Sequence, residues 1–215
     1  MRRLLFSLML LLFAAANGFG PAHAAGQTPR LLFENYAYHA PKAEIAALPG
    51  ATESEENFAG DILLPETSFA GHKWVPRLEF RDERLVRVSL MAAYSAGRME
   101  AVTSFLSDEG YEILALLADD RSLDFISFLK IDGPKALQEK IGEMLSGGPH
   151  KRVTYAWFAT GGLSRDTKIM ARNLTDFFML APSVTREAEV TLLRADGGEQ
   201  VMILVDFTYP ILDAM

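Results

Sequence analysis

Cysteine is absent from the 215-residue sequence, and its absence excludes several kinds of structure and chemistry. Disulfides cannot cross-link the chain, and no thiolate can act as a nucleophile or as a ligand for an iron–sulfur cluster. Thioether-attached haem and a lipid anchor carried on cysteine are excluded for the same reason. The fold must therefore be stabilised by its hydrophobic core, and a chain of this length can bury roughly 70% of its unfolded surface.

Positive charge is also scarce, because 21 Lys and Arg residues are set against 28 Asp and Glu residues and the formal net charge is −7. General nucleic-acid binders and proteins that bind anionic membranes concentrate positive charge, so the composition argues against both classes. Nearly half of the residues (49%) are apolar, which is typical of a globular domain rather than of a disordered chain.

One long apolar run occurs, in residues 4–16 at the N-terminus. Arg2 and Arg3 precede it, helix-breaking residues follow it, and the small-x-small pattern Ala22-His23-Ala24 comes next. This layout is typical of a secretory signal peptide, whereas a membrane-spanning helix needs about 20 apolar residues. We expect cleavage after Ala24 and a location in the periplasm or outside the cell. A retained anchor is the alternative, and no membrane span is predicted in the mature chain.

The sequence divides into three parts. Residues 1–24 are the predicted cleaved signal peptide, residues 25–60 an N-terminal segment with an acidic linker, and residues 61–215 a single α+β domain. The linker is the stretch LPGATESEENFAG (Leu48–Gly60), which is rich in Glu, Gly and small residues. The segment before it is too short to bury a core of its own, so we expect it to dock on the domain.

A first β-hairpin is predicted in HKWVPRLEFRDERLVRVSLM (His72–Met91), where apolar residues alternate along both arms. The two apolar sets meet on one face only if the loop has an odd number of residues or one arm carries a bulge. A three-residue loop, Arg81–Glu83, would place Leu78 opposite Val86. Pro76 has no N–H to donate, so its strand should lie at the sheet edge or leave that position unpaired.

A second hairpin is predicted in EVTLLRADGGEQVMILVDF, where Asp196-Gly197 suits a two-residue turn with positive φ at both positions. The turn would place Glu187 opposite Asp206, and two facing carboxylates can raise one pKa enough for acid–base chemistry. Fraying of the ladder before these residues is the alternative. The register would also align three apolar pairs on one face: Leu192 with Val201, Val190 with Ile203 and Ala188 with Val205.

Three helices are predicted from apolar residues at helical spacing. The first follows Ser95 and stops at Gly110, and the second starts at Asp132-Gly133-Pro134. The third follows Ser164 and ends before Pro182. YEILALLA and KRVTYAWFAT are predicted strands, and SLDFISFLKI suits either period. The expected fold is α+β: a largely antiparallel sheet built from two hairpins plus additional strands, with about three helices packed on one face.

Linear motifs for metal binding or catalysis are weak. Three histidines lie beyond the predicted signal peptide, His39, His72 and His150, and they have no metal-site spacing, so neither a metal nor a cofactor is predicted. The stretch GLSRD resembles a nucleophile elbow, but Asp166 replaces its last glycine and Ser164 is explained as a helix cap. A catalytic triad assembled from distant residues is not excluded by sequence order.

Four residues are candidates for binding a ligand or a partner. His72 and Trp74 lie on the first hairpin, and Tyr155 and Trp157 share one face of a predicted strand. Amphipathic rings on a sheet face can hold a ligand, although such rings more often fill a core. We hypothesise an exported, soluble, non-enzymatic binding or interaction protein of the cell envelope, which uses a sheet face or edge strand to bind a protein or small molecule. A hydrolase with dispersed site residues is the alternative.

Signal-peptide cleavage has a direct mass signature. The protein isolated from its own cells should begin at Ala25 and comprise 191 residues, because 24 of the 215 residues are removed. Intact-mass spectrometry and N-terminal sequencing measure this. A chain that still begins at Met1 would contradict cleavage.

Overall fold

The computed structural model describes residues 30–55, 59–146, 148–195 and 200–213. It confirms a mixed α+β fold with a mostly antiparallel sheet. The predicted signal peptide and the predicted Asp196-Gly197 turn lie outside the described residues, as does part of the acidic linker. The described strands are β1 (Leu31–Phe33), β2 (Tyr36–Ala37), β3 (Thr52–Glu53), β4 (Ile62–Leu63), β5 (Thr67–Phe69), β6 (His72–Arg81), β7 (Arg84–Ala93), β8 (Tyr111–Ala118), β9 (Arg121–Asp124), β10 (Arg152–Ala159), β11 (Glu187–Arg194) and β12 (Val201–Thr208).

The part of the chain that the structure describes also forms seven helices, where the sequence predicts about three. They are α1 (Lys42–Ala46), α2 (Ala96–Asp108), α3 (Phe125–Ile131), α4 (Gly133–Leu145), α5 (Arg165–Met170), α6 (Leu174–Leu180) and α7 (Pro210–Asp213). None of them is both long and apolar enough to cross a bilayer.

Local capping explains part of the difference in helix number. Ser95 and Ser164 cap α2 and α5 through their side-chain oxygens, as the sequence predicts. The third predicted helix is divided in two, because Asn173 leaves the helical conformation and accepts a hydrogen bond from the Asp176 N–H at 2.7 Å. The ambiguous segment SLDFISFLKI contributes to β9 and then forms α3.

The main sheet has ten strands, nine of them in the order β3-β4-β6-β7-β12-β11-β10-β8-β9, with β5 also pairing with β6. The two predicted hairpins, β6–β7 and β11–β12, therefore lie side by side. Their contact is the antiparallel pairing of β7 with β12, in which Leu90 lies opposite Val205. β1 and β2 form a separate two-stranded sheet.

The first hairpin uses a tighter turn than the three-residue loop expected from the sequence. Asp82 and Glu83 form a two-residue turn and both have positive φ, 49° and 60°. A bulge after Glu79 corrects the alternation of the two arms. The turn and the bulge together place Leu78 opposite Val88 rather than opposite Val86. The bulge is the second of the two solutions that the apolar pattern allowed.

Pro76 does not place β6 at the edge of the sheet, because β4 and β5 both pair with its outer side. β4 pairs as far as Arg77, and β5 begins its pairing at Trp74. Pro76 faces the gap between them, where its carbonyl accepts a hydrogen bond from the Leu64 N–H at 3.0 Å. Pro76 pairs with Leu90 of β7 and is left out of the β4 and β5 ladders, so the expected lack of pairing holds for the outer side of β6 only.

The second hairpin forms with its register shifted by two residues. Val190 lies opposite Val205 and Leu192 opposite Ile203, so the expected pairing of Leu192 with Val201 is wrong. A shift of two keeps every apolar side chain on its original face, because side chains along a strand alternate with period two. The burial pattern therefore tolerates both registers, and the two-residue turn signal does not decide between them.

Helices cover both faces of the sheet, which corrects the expectation of a single helical face. α2 packs on one face, here called the first face, through Val102 and Leu106. α6 packs on the opposite, second face through Phe177. Both faces of the sheet need a cover because both are apolar at β10. There the adjacent residues Trp157 and Phe158 point to opposite faces and are both buried.

The N-terminal segment contributes to the core on the first face. Leu32 and Phe33 of β1 and Ile45 of α1 are buried in the same cluster as Leu90 and Val205 from the centre of the sheet. Burial of these side chains attaches the segment to the sheet. The division into a segment and a domain stays a prediction.

Asp124 connects two helices through one carboxylate. Its Oδ1 accepts hydrogen bonds from the N–H groups of Ile126 and Ser127, at 2.9 and 3.2 Å, and so caps α3. Its Oδ2 accepts a third bond at 2.7 Å from the N–H of Leu174, the first residue of α6. The side chain therefore satisfies free donors at the starts of two helices.

We expect Asp124→Ala to lower the free energy of unfolding by about 2–3 kcal/mol, because it removes a helix cap and also leaves the Leu174 N–H without an acceptor. Ser95→Ala is the matched control, since it removes a single cap and should cost about 1 kcal/mol. Urea denaturation measures both. Equal losses in the two variants would contradict a role for Asp124 in holding α6.

Candidate ligand-binding site

The structure buries Trp74, one of the four residues proposed from sequence. Its side chain is 1% exposed, its indole N–H donates to the Phe69 carbonyl at 3.0 Å, and the Arg98 guanidinium lies 5.4 Å from the ring centroid. His72, its neighbour in β6, is half-buried and lies opposite Phe69 in the ladder. The two side chains are integrated into the junction of β5 and β6 rather than displayed as a platform.

Tyr155 and Trp157 lie in β10, separated from β6 by three strands. Trp157 is 6% exposed, and Tyr155 is half-buried between two apolar clusters. The fold thus keeps these two rings apart from His72 and Trp74. Ligand binding by any of the four residues stays a prediction.

The three histidines contact different elements. His39 stacks on Tyr38, His72 belongs to β6, and His150 contacts the Asp119 carboxylate through Nδ1 at 2.8 Å. Within the described ranges, no hydrogen bond joins a histidine to a serine hydroxyl or to a second histidine. The His150 Nε2 atom is buried and has no hydrogen-bond partner there. A catalytic triad is therefore not assembled around it in the described part of the chain.

A pocket of about 340 Å³ opens on the first face, between β1, the β5–β6 turn and α2. Its floor comes from the start of β8 and the end of β12. We call it the aromatic pocket; it is lined by Leu32, Phe33, Glu34, Ser68, Phe69, Ala70, Phe105, Glu109, Tyr111, Arg186 and Phe207.

Phenylalanines from four elements form its walls. Phe33 of β1 stacks on Phe207 of β12 with ring centroids 5.2 Å apart, and its ring meets the edge of Phe69 at 5.3 Å. Phe69 in turn meets Phe105 of α2 at 4.8 Å. Offset and edge-to-face contacts of this kind stabilise one another beyond the area they bury. The walls are therefore fixed by ring packing before any ligand enters.

Two tight turns form the mouth. Glu34 in the β1–β2 turn and Ala70 in the β5–β6 turn both have positive φ, 46° and 48°, although neither is glycine. Residues with side chains rarely adopt this conformation, and it is found mainly where a short turn requires it.

Tyr111 supplies a polar group inside this apolar surface. Its side chain is 4% exposed, and its hydroxyl is buried without a hydrogen-bond partner among the described residues. Burial raises the pKa of Tyr111 to about 12, although the positive charge of Arg186 opposes the shift. The hydroxyl thus stays protonated at neutral pH and remains a donor. Leaving such a group without a partner costs about 1–3 kcal/mol, which a ligand acceptor would offset.

Arg186 lies over the ring of Tyr111. Its guanidinium carbon is 5.6 Å from the centroid of the Tyr111 ring, a cation–π contact, and its side chain is half-buried. No carboxylate in the described part of the chain forms an ion pair with it. Glu34 and Glu109 also line the pocket, but both are exposed at its rim.

No protein family, curated protein or solved structure matches this chain. The site is therefore defined by its geometry alone.

The second face carries a different feature, a row of polar side chains across the central strands. Arg77 Nη2 donates to Ser89 Oγ at 3.1 Å, and Ser89 Oγ donates to Asp206 Oδ1. Asp206 lies opposite Glu189, and Arg77 is within 3.6 Å of the Asp61 carboxylate. This polar row, Asp61–Arg77–Ser89–Asp206–Glu189, runs from β4 to β11.

Four carboxyl groups on this face have raised pKa values, and Asp61 is one of them because burial outweighs the opposing charge of Arg77. Burial, followed by the charge of Glu189, raises the pKa of Glu187 to about 7. Burial is also the main reason that the pKa values of Glu189 and Asp206 are raised. The expected coupling of facing carboxylates thus involves Glu189 and Asp206, because the register shift places Glu187 opposite Thr208 instead. Among the described residues, no group of three His, Asp or Glu side chains is placed to hold a metal.

Sequence reasoning missed Tyr111 and Arg186. Tyr111 begins a predicted strand and Arg186 follows a proline-containing loop, so neither position stands out. The pocket residues span positions 32 to 207, and no local motif connects them. The only sequence signal for an aromatic pocket was the number of phenylalanines, 14 in all. Their number does not indicate which of them lie together in the folded protein.

We expect Glu187→Gln to change how stability depends on pH. The folded protein retains the Glu187 proton up to about pH 7, whereas the unfolded chain loses it near the ordinary value of 4.5. The folded state thus binds more protons in this window, and its contribution to stability falls as pH rises through it. The glutamine variant lacks this pH-dependent contribution to stability, because its side chain does not titrate.

Relative to Glu187→Gln, the wild type should lose as much as about 3 kcal/mol of unfolding free energy between pH 4.5 and pH 7. Urea denaturation at several pH values measures the difference. Glu139→Gln is the control for loss of a carboxylate charge at an exposed position; it also removes an exposed ion pair with Lys135 at 3.9 Å, which contributes little to stability. A constant difference between wild type and Glu187→Gln would contradict a buried, proton-retaining Glu187.

Proposed function

We propose that this chain is an exported, non-enzymatic binding protein of the cell envelope, which holds a small ligand in the aromatic pocket. The observation that carries the proposal is the Tyr111 hydroxyl, a protonated donor that is buried without a partner beside a cavity of about 340 Å³. Export is supported by the signal-peptide pattern of the N-terminal sequence. The residues that carry this pattern lie outside those that the structure describes.

The pocket has the features of a small-molecule site. Its volume lies near the lower end of the range of about 300–1,000 Å³ that is typical of ligand pockets. Its lining is mostly apolar, and a few polar groups, Tyr111 and Arg186 among them, are available to orient a ligand. The pocket also lies on a sheet face, which is the surface that the sequence hypothesis favoured.

Binding is favoured over catalysis because, among the described lining residues, no base is hydrogen-bonded to the Ser68 hydroxyl, the one serine of the pocket. Its carboxylates, Glu34 and Glu109, are exposed at the rim, and the pKa of Tyr111 is raised rather than lowered. A nucleophile or base is activated by a neighbouring group, and the described pocket residues include no histidine. A hydrolase remains the alternative outcome of the tests.

The test is native mass spectrometry of the protein purified from its own cells, before and after denaturation. We expect a small additional mass that is lost on denaturation, and we expect Tyr111→Phe to reduce its occupancy several-fold, since one hydrogen bond to the ligand is removed. Tyr111→Phe should be at least as stable as the wild type without ligand, because it removes an unsatisfied buried hydroxyl. Loss of the ligand would then not reflect unfolding.

Tyr155→Phe is the matched control, because it removes a tyrosine hydroxyl from β10 rather than from the pocket. It should leave occupancy unchanged. Loss of the ligand in Tyr155→Phe but not in Tyr111→Phe would contradict the pocket and favour the sheet residues proposed from sequence. A bare chain, with no bound small molecule in any preparation, would contradict ligand binding altogether.

A further inference from the structure

We propose that the ligand of the aromatic pocket has a flat or compact apolar body and one negatively charged acceptor group, such as a carboxylate. This inference rests on the proposed function and specifies the chemical class of the ligand. It is carried by two neighbouring residues that line an otherwise largely aromatic cavity: Tyr111, whose buried hydroxyl has no partner among the described residues, and Arg186, whose guanidinium lies over the Tyr111 ring.

The two donors lack acceptors for different reasons. The Tyr111 hydroxyl is enclosed by the walls, and none of the described residues accepts its proton. The Arg186 guanidinium lies over the Tyr111 ring, and no described residue accepts a hydrogen bond from its five N–H groups. An acceptor with two lone pairs can bond to both groups together, and hydrogen bonds to an ionised acceptor are about twice as strong as neutral ones.

The carboxylates at the rim limit the charge of the ligand but do not reverse its sign. Glu34 and Glu109 are exposed, so water and salt weaken their effect on a group bound deeper in the pocket. The charge of Glu109 does contribute to the raised pKa of Tyr111, but less than the charge of Arg186 opposes it. Arg186 is half-buried, and its positive charge already opposes the rise in the pKa of Tyr111 and of Tyr209. Arg186 can thus compensate one negative charge on the ligand. A second negative charge on the ligand would have no positive partner in the pocket and would be repelled by the rim carboxylates.

A cationic ligand fits the same walls less well. Aromatic rings do attract cations, and the rim carboxylates would add to that attraction. A cation would, however, place its charge near Arg186 and offer no lone pair to the Tyr111 proton. The buried Tyr111 hydroxyl would then remain unsatisfied, at a cost that exposed rim charges do not offset.

The size of the cavity restricts the apolar body. A volume of about 340 Å³ accommodates a bicyclic ring system, and the edge-to-face contacts of Phe33, Phe69 and Phe105 provide flat surfaces at right angles to each other. Aromatic rings favour such edge and offset contacts. Naphthalene derivatives are therefore suitable probes of the pocket.

The experiment compares three probes with the same ring: 2-naphthoate, 2-naphthalenemethanol and 2-naphthylmethylammonium. Isothermal titration at neutral pH and low salt gives their affinities for the wild-type protein. We expect naphthoate to bind about ten-fold or more tightly than the ammonium probe, since only the carboxylate can accept charge-assisted hydrogen bonds from the two donors. The alcohol should bind with intermediate affinity.

Two variants assign this preference to the pocket. Arg186→Gln should remove most of the preference for naphthoate over the alcohol, and Tyr111→Phe should weaken naphthoate binding about five-fold or more. Lys168→Gln is the matched control, because Lys168 is a cation of the opposite face that is paired with Glu112 at 2.9 Å. It should leave all three affinities unchanged.

The outcomes separate this inference from the proposed function. Tighter binding of the ammonium probe, or failure of all three probes with a protein that still releases a small mass on denaturation, would overturn the ligand class and leave the binding function intact. Failure of all probes together with a bare chain in native mass spectrometry would overturn both. A preference for naphthoate that survives Arg186→Gln but is lost in Lys168→Gln would place the anion site on the other face and overturn the inference.

Discussion

The pairing of β7 with β12 is the contact on which the rest of the structure depends. It joins two hairpins that are more than a hundred residues apart in sequence, and it aligns Leu90 with Val205 and Ser89 with Asp206. Because side chains alternate along each strand, this single register creates a continuous apolar row on the first face and a polar row on the second. A one-residue slip would exchange the two rows and bury the polar one under α2.

The apolar row determines what packs on the first face. Its side chains need a cover, which α2 and the N-terminal segment provide, and the aromatic pocket lies where these two covers meet the ends of β8 and β12. Phe33 and Phe105 approach from the two covering elements, whereas Phe207 and Tyr111 belong to the sheet. The pocket is thus a consequence of two elements that together leave part of the sheet end uncovered.

The polar row has the opposite character. Ser89 is fully buried and Asp206 nearly so, and their hydrogen bonds compensate for the loss of water around them. The raised pKa values of Asp206 and Glu189 indicate that the carboxyl groups retain part of the cost of burial. We therefore expect the carboxyl groups of the second face to make the stability of the fold depend on pH.

The sequence by itself determined the elements whose signals are local. Alternation predicted both hairpins, capping by Ser95 and Ser164 predicted helix starts, and Pro76 predicted a gap in the ladder. The register of the second hairpin and the division of the third helix at Asn173 were not determined, because a shift of two residues preserves burial and a cap inside an apolar stripe does not break its periodicity.

Only the tertiary structure decided the site. Tyr111 and Arg186 lie 75 positions apart and meet because β8 and the residue before β11 reach the same end of the sheet. The physical reason is that a pocket is formed by elements that fail to cover one another completely, and this depends on long-range packing. Alternation and capping act over a few residues, so they could place each phenylalanine on a strand or helix but not bring four of them around one tyrosine.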